Sequence, residues 1–324
     1  MFSLRNRLHP ATAAVLGLGL LLGFNALFTP GFFAWTHRDG AVFGAPIDVL
    51  KRGAETMILA AAATLVIATR GIDLSVGAIM AVSGASAGVL LAGGGSVVVA
   101  ILGALGASLF AGLFNGLLVV GVRLPPIIAT LVLMTAGRGA AQLLSDGQIV
   151  PIRAQAFLAV ADTRFLFLPA PVWIAIGFAT VTAIFAARTA IGLFVRATGD
   201  NPAAAREAGV RQGPLLLGLY AFSGLGAGIA GILAAADIEA ADANFAGKSL
   251  ELDAVLAVVL GGTSLSGGRF TVLGSTIGAL LIQTLTTTLY MHDVPPDVAS
   301  IPKALVVLAI CAVQASTKTG RDRS

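Results

Sequence analysis

Residues 96–121 read SVVVAILGALGASLFAGLFNGLLVVG, with no charged side chain. A helix needs about 20 apolar residues to cross about 30 Å of hydrocarbon, and this stretch exceeds that. Comparable stretches lie near 11–28, 47–69, 74–92, 125–144, 169–187, 213–236, 252–267, 272–290 and 298–316. Together they predict an all-α membrane protein, a polytopic bundle of about ten transmembrane helices with discontinuous Gly-rich segments. The first span follows Arg5 and Arg7 as a signal peptide would, but Asn25–Phe28 offers no small-residue cleavage site, so it reads as an uncleaved helix.

Composition agrees. Of 324 residues, 57% are hydrophobic and 11% charged, with a mean hydropathy of +0.93. A soluble domain carries about 25% charged residues. A water-soluble surface, a disordered chain and a nucleic-acid-binding domain are thereby excluded. A disulfide scaffold is excluded by the single cysteine, Cys311. With the amino terminus inside and the spans alternating, twelve of the 20 basic residues fall inside, against four acids, Asp73, Asp200, Glu207 and Asp322. That asymmetry fits the positive-inside rule with both termini cytoplasmic. The longest inside loop runs over about 188–213 and the outside loops near 29–46, 145–168 and 237–251 are moderate, so residues 1–324 read as one transmembrane domain.

Gly112-x-x-x-Gly116 and Gly224-x-x-x-Gly228 permit close helix packing. Soluble-enzyme patterns occur but lack their context. Gly226–Gly231 fits a dinucleotide fingerprint and Gly84–Gly88 a nucleophile elbow, yet both lie inside apolar helices. His9, His37 and His292 sit at span ends or in loops, and no cluster has metal-ligand spacing. The expectation is no catalytic residue, no metal and no cofactor. No phosphate-binding G-x-x-x-x-G-K-[ST] occurs, so any ATP is bound by another chain.

Three places break the apolar pattern at an energetic cost. The first is Arg70-Gly-Ile-Asp73-Leu-Ser75-Val-Gly77. A charged residue within a span costs about 2.5–3.5 kcal/mol on insertion scales. Asp73 and Ser75 are therefore either caps of the third helix or groups on a transport path. The second is Glu251-Leu-Asp253 through Gly261-Gly-Thr-Ser-Leu-Ser-Gly-Gly-Arg269. Its apolar run of about 11 residues covers only about 16 Å, so the Gly/Thr/Ser stretch is expected to complete the crossing as a discontinuous helix. Asn115 and Thr130 are further polar side chains inside apolar spans. The third is Asp200-Asn201-Pro202 to Arg206-Glu207-Ala208-Gly209, a short helix with Asp200 or Asn201 as N-cap, Pro202 at N1 and Gly209 past its end. Exposed on the inner face, it is either a docking element or a solvated connector.

These motifs, in this order, resemble the inner-membrane permease subunits of bacterial ATP-binding-cassette sugar importers, the ribose/xylose/arabinose group. Gly71–Gly77 matches the family's G-I-D-L-S-V-G, Gly261–Arg269 its G-G-T-S-L-x-G-G-R, and Gly199, Asn201, Ala204, Ala205 and Gly209 its cytoplasmic motif. Leu131–Gly139, Gly147–Val150 and Ala241-Asp-Ala-Asn244 look like the galactofuranose-type members. The resemblance implies a permease that is not itself an enzyme and that passes a monosaccharide inward, galactofuranose or a related sugar. It implies two cytoplasmic ATP-binding subunits, a second permease subunit (identical or paralogous), a periplasmic sugar-binding protein and surrounding membrane lipid, with no nucleic acid. On this reading Asp73, Ser75, Asn115, Thr130, Glu251 and Asp253 approach the path, while Asn201, Arg206, Glu207 and Gly209 couple to the ATPase. Arg70 departs from the family, which usually has Gly there; it puts a fixed charge beside Asp73, and the two can neutralise each other. Trp35 and Trp173, the only tryptophans, read as interfacial anchors. An ion-coupled secondary transporter using Asp73, Glu251 and Asp253, or a same-fold permease for another sugar or branched-chain amino acids, are the alternatives.

Overall fold

The computed structural model describes residues 11–38, 41–296, 298–306 and 308. Twelve helices are bounded within them: α1 Thr12–Phe28, α2 Ala45–Ala68, α3 Val76–Ala92, α4 Val97–Val120, α5 Pro126–Leu144, α6 Gln155–Asp162, α7 Ala170–Arg188, α8 Ala190–Asp200, α9 Pro202–Glu207, α10 Gln212–Asp237, α11 Leu250–Leu260 and α12 Val272–Met291. A further helical stretch begins at 300. The remainder of the expected last span, and the basic residues at both termini, lie outside the described residues. Five helices are long and apolar enough to cross a membrane on length and composition: α4, α5, α7, α10 and α12. The first turns of α2 carry Asp48, Lys51, Arg52 and Glu55, and α1 and α3 are shorter, at 17 residues each.

Small residues set the packing. The two Gly-x-x-x-Gly motifs meet each other, because α4 lies against α10. A methyl group added at Gly224 would sit 2.5 Å from the Ser108 carbonyl oxygen and 2.9 Å from the Gly112 Cα. One at Gly116 would reach the Leu217 Cα at 3.0 Å. Backbones in such contact gain dispersion over their full length, which is what holds helices together when lipid surrounds them. Polar staples add to this. The buried Asn25 of α1 donates to Thr288 Oγ1 of α12 at 2.8 Å, and Thr64 of α2 donates to Ser275 Oγ of α12 at 2.7 Å.

The two ends of the bundle differ. At one end Lys51 bridges Asp237 at 2.5 Å and Asp162 at 3.8 Å, and Val150–Pro151 pairs antiparallel with Ala240–Ala241. At the other end the last turn of α2, the end of α8 and the α11–α12 turn converge. Two expectations change here. The stretch 188–213 was expected to hold one short helix, but α8 precedes α9; it buries Gly192, Val195, Thr198 and Gly199 and leaves Leu193, Phe194 and Arg196 exposed. The Gly/Thr/Ser stretch after α11 does not extend the crossing. It folds as a tight turn, with Gly267 at φ +82°, Gly268 at φ +81° and Ser264 N–H donating to Arg269 O at 3.1 Å.

The stretch that runs alongside a long helix is instead the one ahead of α11. Ala241 lies beside Gly88, and Gly247 packs backbone against backbone on Gly77. Residues 241–247 therefore run along α3 from near its end to its first turn, about 16 Å. The segment expected as an outside loop is a non-helical limb packed into the body. Such backbone is tolerated at membrane depth only where it is buried in protein or lines a cavity.

Candidate translocation site

The hairpin between α2 and α3 centres on Asp73, which is 1% exposed. Its Oδ1 accepts from Ser75 N–H at 3.0 Å and Ser75 Oγ at 2.6 Å; its Oδ2 accepts from Ser223 Oγ of α10 at 2.7 Å. Asn115 of α4 donates to Ser75 Oγ at 2.7 Å, and Thr130 of α5 donates to Ile72 O at 3.1 Å. Four of the expected path residues thus come together: Asp73, Ser75 and Asn115 in one buried network, with Thr130 on its flank. Ser223 completes it and was missed, since a lone serine in an apolar span carries no signal of its own. Of the two candidate caps, Ser75 makes no side-chain cap bond; Asp73 takes the N–H at the start of α3 instead.

Removing the Ser223 hydroxyl should show what this network contributes. Ser223→Ala leaves Asp73 Oδ2 without a donor in a buried setting, a loss of about 1–3 kcal/mol. The purified permease in detergent should unfold at a clearly lower temperature, and Asp73→Asn, whose amide can pair with a reoriented hydroxyl, should lose less. Unchanged melting of Ser223→Ala would mean the network is not stabilising.

Arg70 does not pair with Asp73. With its backbone left-handed at φ +66°, it turns toward the α8–α9 junction. There Nε donates to Gly199 O at 2.7 Å and Nη2 to Asp200 O at 2.8 Å. Gly268 N–H donates to Ala68 O at 2.9 Å, and a methyl at Gly267 would sit 2.6 Å from Arg70 Cγ. All three sequence motifs therefore meet at one joint. Beyond it, α9 is capped as its sequence suggests. Asn201 Oδ1 accepts from Ala203 N and Ala204 N at 3.1 Å each, and Gly209 at φ +85° ends the helix, its N–H on Arg206 O while Val210 N–H reaches Ala205 O. Ala205 is the buried residue of α9, Gln212 Nε2 donates to Pro202 O at 2.5 Å, and Arg206 lines a cavity of about 580 Å³ with Arg123 and Arg211.

Glu251 and Asp253 part company. Two residues apart on a helix they face different ways. Glu251 turns to α3, where its Oε2 is buried beside Gly77 with no hydrogen-bond partner among the described residues. Asp253 Oδ2 pairs with Lys303 Nζ at 3.0 Å. The limb ahead of α11 is held by Arg138 of α5, whose Nη1 donates to Ala246 O at 2.6 Å and Ala243 O at 3.2 Å. Its outer edge presents Asn244, Phe245, Lys248 and Ser249, all exposed. None of these was expected as a site residue; Ala241-Asp-Ala-Asn244 served only as a mark of resemblance. Among the described residues no three His, Cys, Asp or Glu side chains come together as a metal site.

Several apolar helices of membrane-crossing length around buried polar interruptions define a polytopic membrane body among the described residues. Residues 45–311 match the family described as branched-chain amino acid transport system / permease component, and the chain belongs to it. It is accordingly a multi-pass inner-membrane transporter subunit and not an enzyme. Over 300 residues it is 46% identical to the galactofuranose transporter permease protein of Escherichia coli K12, covering 93% of this chain and 88% of that one. It is 37% identical to the fructose import permease protein of Bifidobacterium longum (94% and 87% covered) and 34% identical to the ribose import permease protein of E. coli K12 (91% and 90% covered). No solved structure matches the chain.

Proposed function

We propose that this chain is the permease subunit of an ATP-driven importer that moves a monosaccharide, galactofuranose or a related sugar, across the inner membrane. The sugar class rests on its similarity to permeases named for galactofuranose, fructose and ribose. As one transmembrane domain of about ten spans with both termini cytoplasmic, it works beside a second permease, identical or paralogous. A periplasmic binding protein delivers the sugar, and cytoplasmic ATP-binding subunits drive the cycle through the 188–213 segment. Asn201 and Gly209 frame α9, and Arg206 and Glu207 meet the ATPase.

The path runs along the exposed edge of the limb at 244–249 and the facing side of α5. The observation that carries this is Lys248, exposed next to Gly247, which packs on the first turn of α3. Gly77 lies about 22 Å along the helix from the far end of α3. A charged side chain at such depth faces water or protein, not hydrocarbon. On this reading Glu251 borders the path, Asp73, Ser75, Asn115 and Thr130 form the rigid wall behind it, and Asp253 anchors the limb through Lys303. In a Cys311→Ser background, cysteines at Lys248 and Leu252 should react with small polar thiol reagents in the assembled complex. Protection at both positions, with and without ATP, would remove the path from this edge. Reporter fusions after Arg164 and Arg206 should read periplasmic and cytoplasmic, respectively; an external reading after Arg206 reverses the topology.

A further inference from the structure

We infer that Gln142 and Asn244 form a receiving site for a vicinal diol of the sugar, on the path edge level with the middle of α3. This rests on the path just proposed and adds the groups that read the substrate. Gln142 Nε2 donates to Asn244 Oδ1 at 2.8 Å, and both side chains are exposed. That bond uses one donor of Gln142 and one acceptor of Asn244. The Asn244 NH2 and the Gln142 carbonyl oxygen make no other hydrogen bond among the described residues, so this exposed pair retains a donor and an acceptor for a ligand. Turning both amides over leaves the same arrangement. Two adjacent sugar hydroxyls match it, one accepting from the amide nitrogen and the other donating to the amide oxygen.

The pair is built in advance. Asp242 Oδ1 accepts from Asn244 N–H at 2.9 Å and from Phe245 N–H at 3.1 Å, which fixes the turn that carries Asn244. Arg138 holds the carbonyls on either side of Asn244 and Phe245, at Ala243 and Ala246. Ala243 and Ala141, next in sequence to Asn244 and Gln142, are buried in one cluster with Ala81 and Ala85. Neither amide backbone is free to drift, so the cost of ordering a polar site has been met in folding. Both side chains are uncharged, which suits a site that must release its cargo onward.

The test uses Phe245→Cys in Cys311→Ser as a reporter beside the amides, in the assembled complex with its ATPase chains and binding protein. Labelling by a small polar thiol reagent is timed with and without D-galactose, D-fructose or D-ribose at tens of millimolar, and with L-leucine as control. At least one sugar should slow labelling about fivefold with the amides intact, and Gln142→Leu with Asn244→Leu should abolish that protection, since two ordinary hydrogen bonds are worth about tenfold or more in affinity. Labelling that no sugar slows, protection that survives both leucines, or protection by leucine alone overturns the diol site while the path stands. No labelling of Phe245→Cys in any state overturns the path as well. The double leucine variant is checked for normal melting in detergent; if it melts early, the single variants Gln142→Leu and Asn244→Leu, each removing one arm of the site, replace it, and each should weaken the protection.

Discussion

A permease carrying Gly77→Val is expected to lose sugar uptake about a hundredfold or more, through a misfit at the centre of the body. Its β-carbon would collide with the Gly247 carbonyl oxygen and Glu251 Oε2, and Gly247, at φ +69°, has no room to retreat because its own Cα side faces Gly77. Overpacking a tight site costs about 1–3 kcal/mol and often more when backbone is the obstacle. Here the obstacle is the limb that carries the path edge, so the strain falls on function as well as stability. Gly106→Ala is the matched contrast: nothing lies within 4 Å of its added methyl group, and alanine suits a helix better by about 1 kcal/mol. Uptake in reconstituted vesicles and melting in detergent read both. If Gly77→Val transports as well as Gly106→Ala, the limb does not occupy the position described.

The second large effect is expected at α9. Six residues cannot hold a helix without help, since isolated helices need about 12–15. Its help comes from the Asn201 cap, the buried Ala205 and the left-handed Gly209. Valine at Gly209 meets open space but a forbidden backbone, with strain of about 1–3 kcal/mol. Gly209→Val should therefore cut the ATP hydrolysis stimulated by loaded binding protein about tenfold, with uptake falling alongside. Gly209→Asn, which tolerates this conformation, should keep most of both. Arg206→Glu should weaken docking of the ATPase while the membrane body melts normally. Full stimulated hydrolysis and full uptake in both Gly209→Val and Arg206→Glu would reduce this segment to a connector.

The sequence is legible where one force dominates. The bounds of α1, α3, α4, α5, α7, α10 and α12 fall within about two residues of the apolar runs, because a run with no charge, or in α5 only Arg138, bordered by Gly, Pro or polar residues has one stable form in lipid. The α9 cap was readable for a similar local reason: Asn201, Pro202 and Gly209 each favour one position at a helix end. What escaped depends on partners distant in the chain. Asp242, Asn244 and Lys248 read as loop residues because nothing local says that Gly247 will dock on Gly77. The α8 helix was hidden because its buried face is Gly192, Val195 and Thr198, too small and too polar to register as a hydrophobic stripe. Arg70 was assigned to Asp73 by proximity in sequence, yet a left-handed backbone at Arg70 sends the two side chains apart. Glu251 and Asp253 were grouped as one acidic feature although helical geometry separates them.

Arg70 binds two main-chain oxygens, those of Gly199 and Asp200, and this has a consequence for how the protein can vary. A side chain at 200 leaves its main-chain acceptor in place, but one at 199 would collide with the Ala68 carbonyl and the Gly268 amide, so the linkage depends on glycine at 199 as well as on arginine at 70. The inner rim therefore tolerates drift at Asp200, whose part in the linkage is its backbone oxygen, and is exposed to single substitutions at Arg70 and Gly199. A chain with glycine at 70 would have to carry the load of the α8–α9 junction by close backbone contact alone.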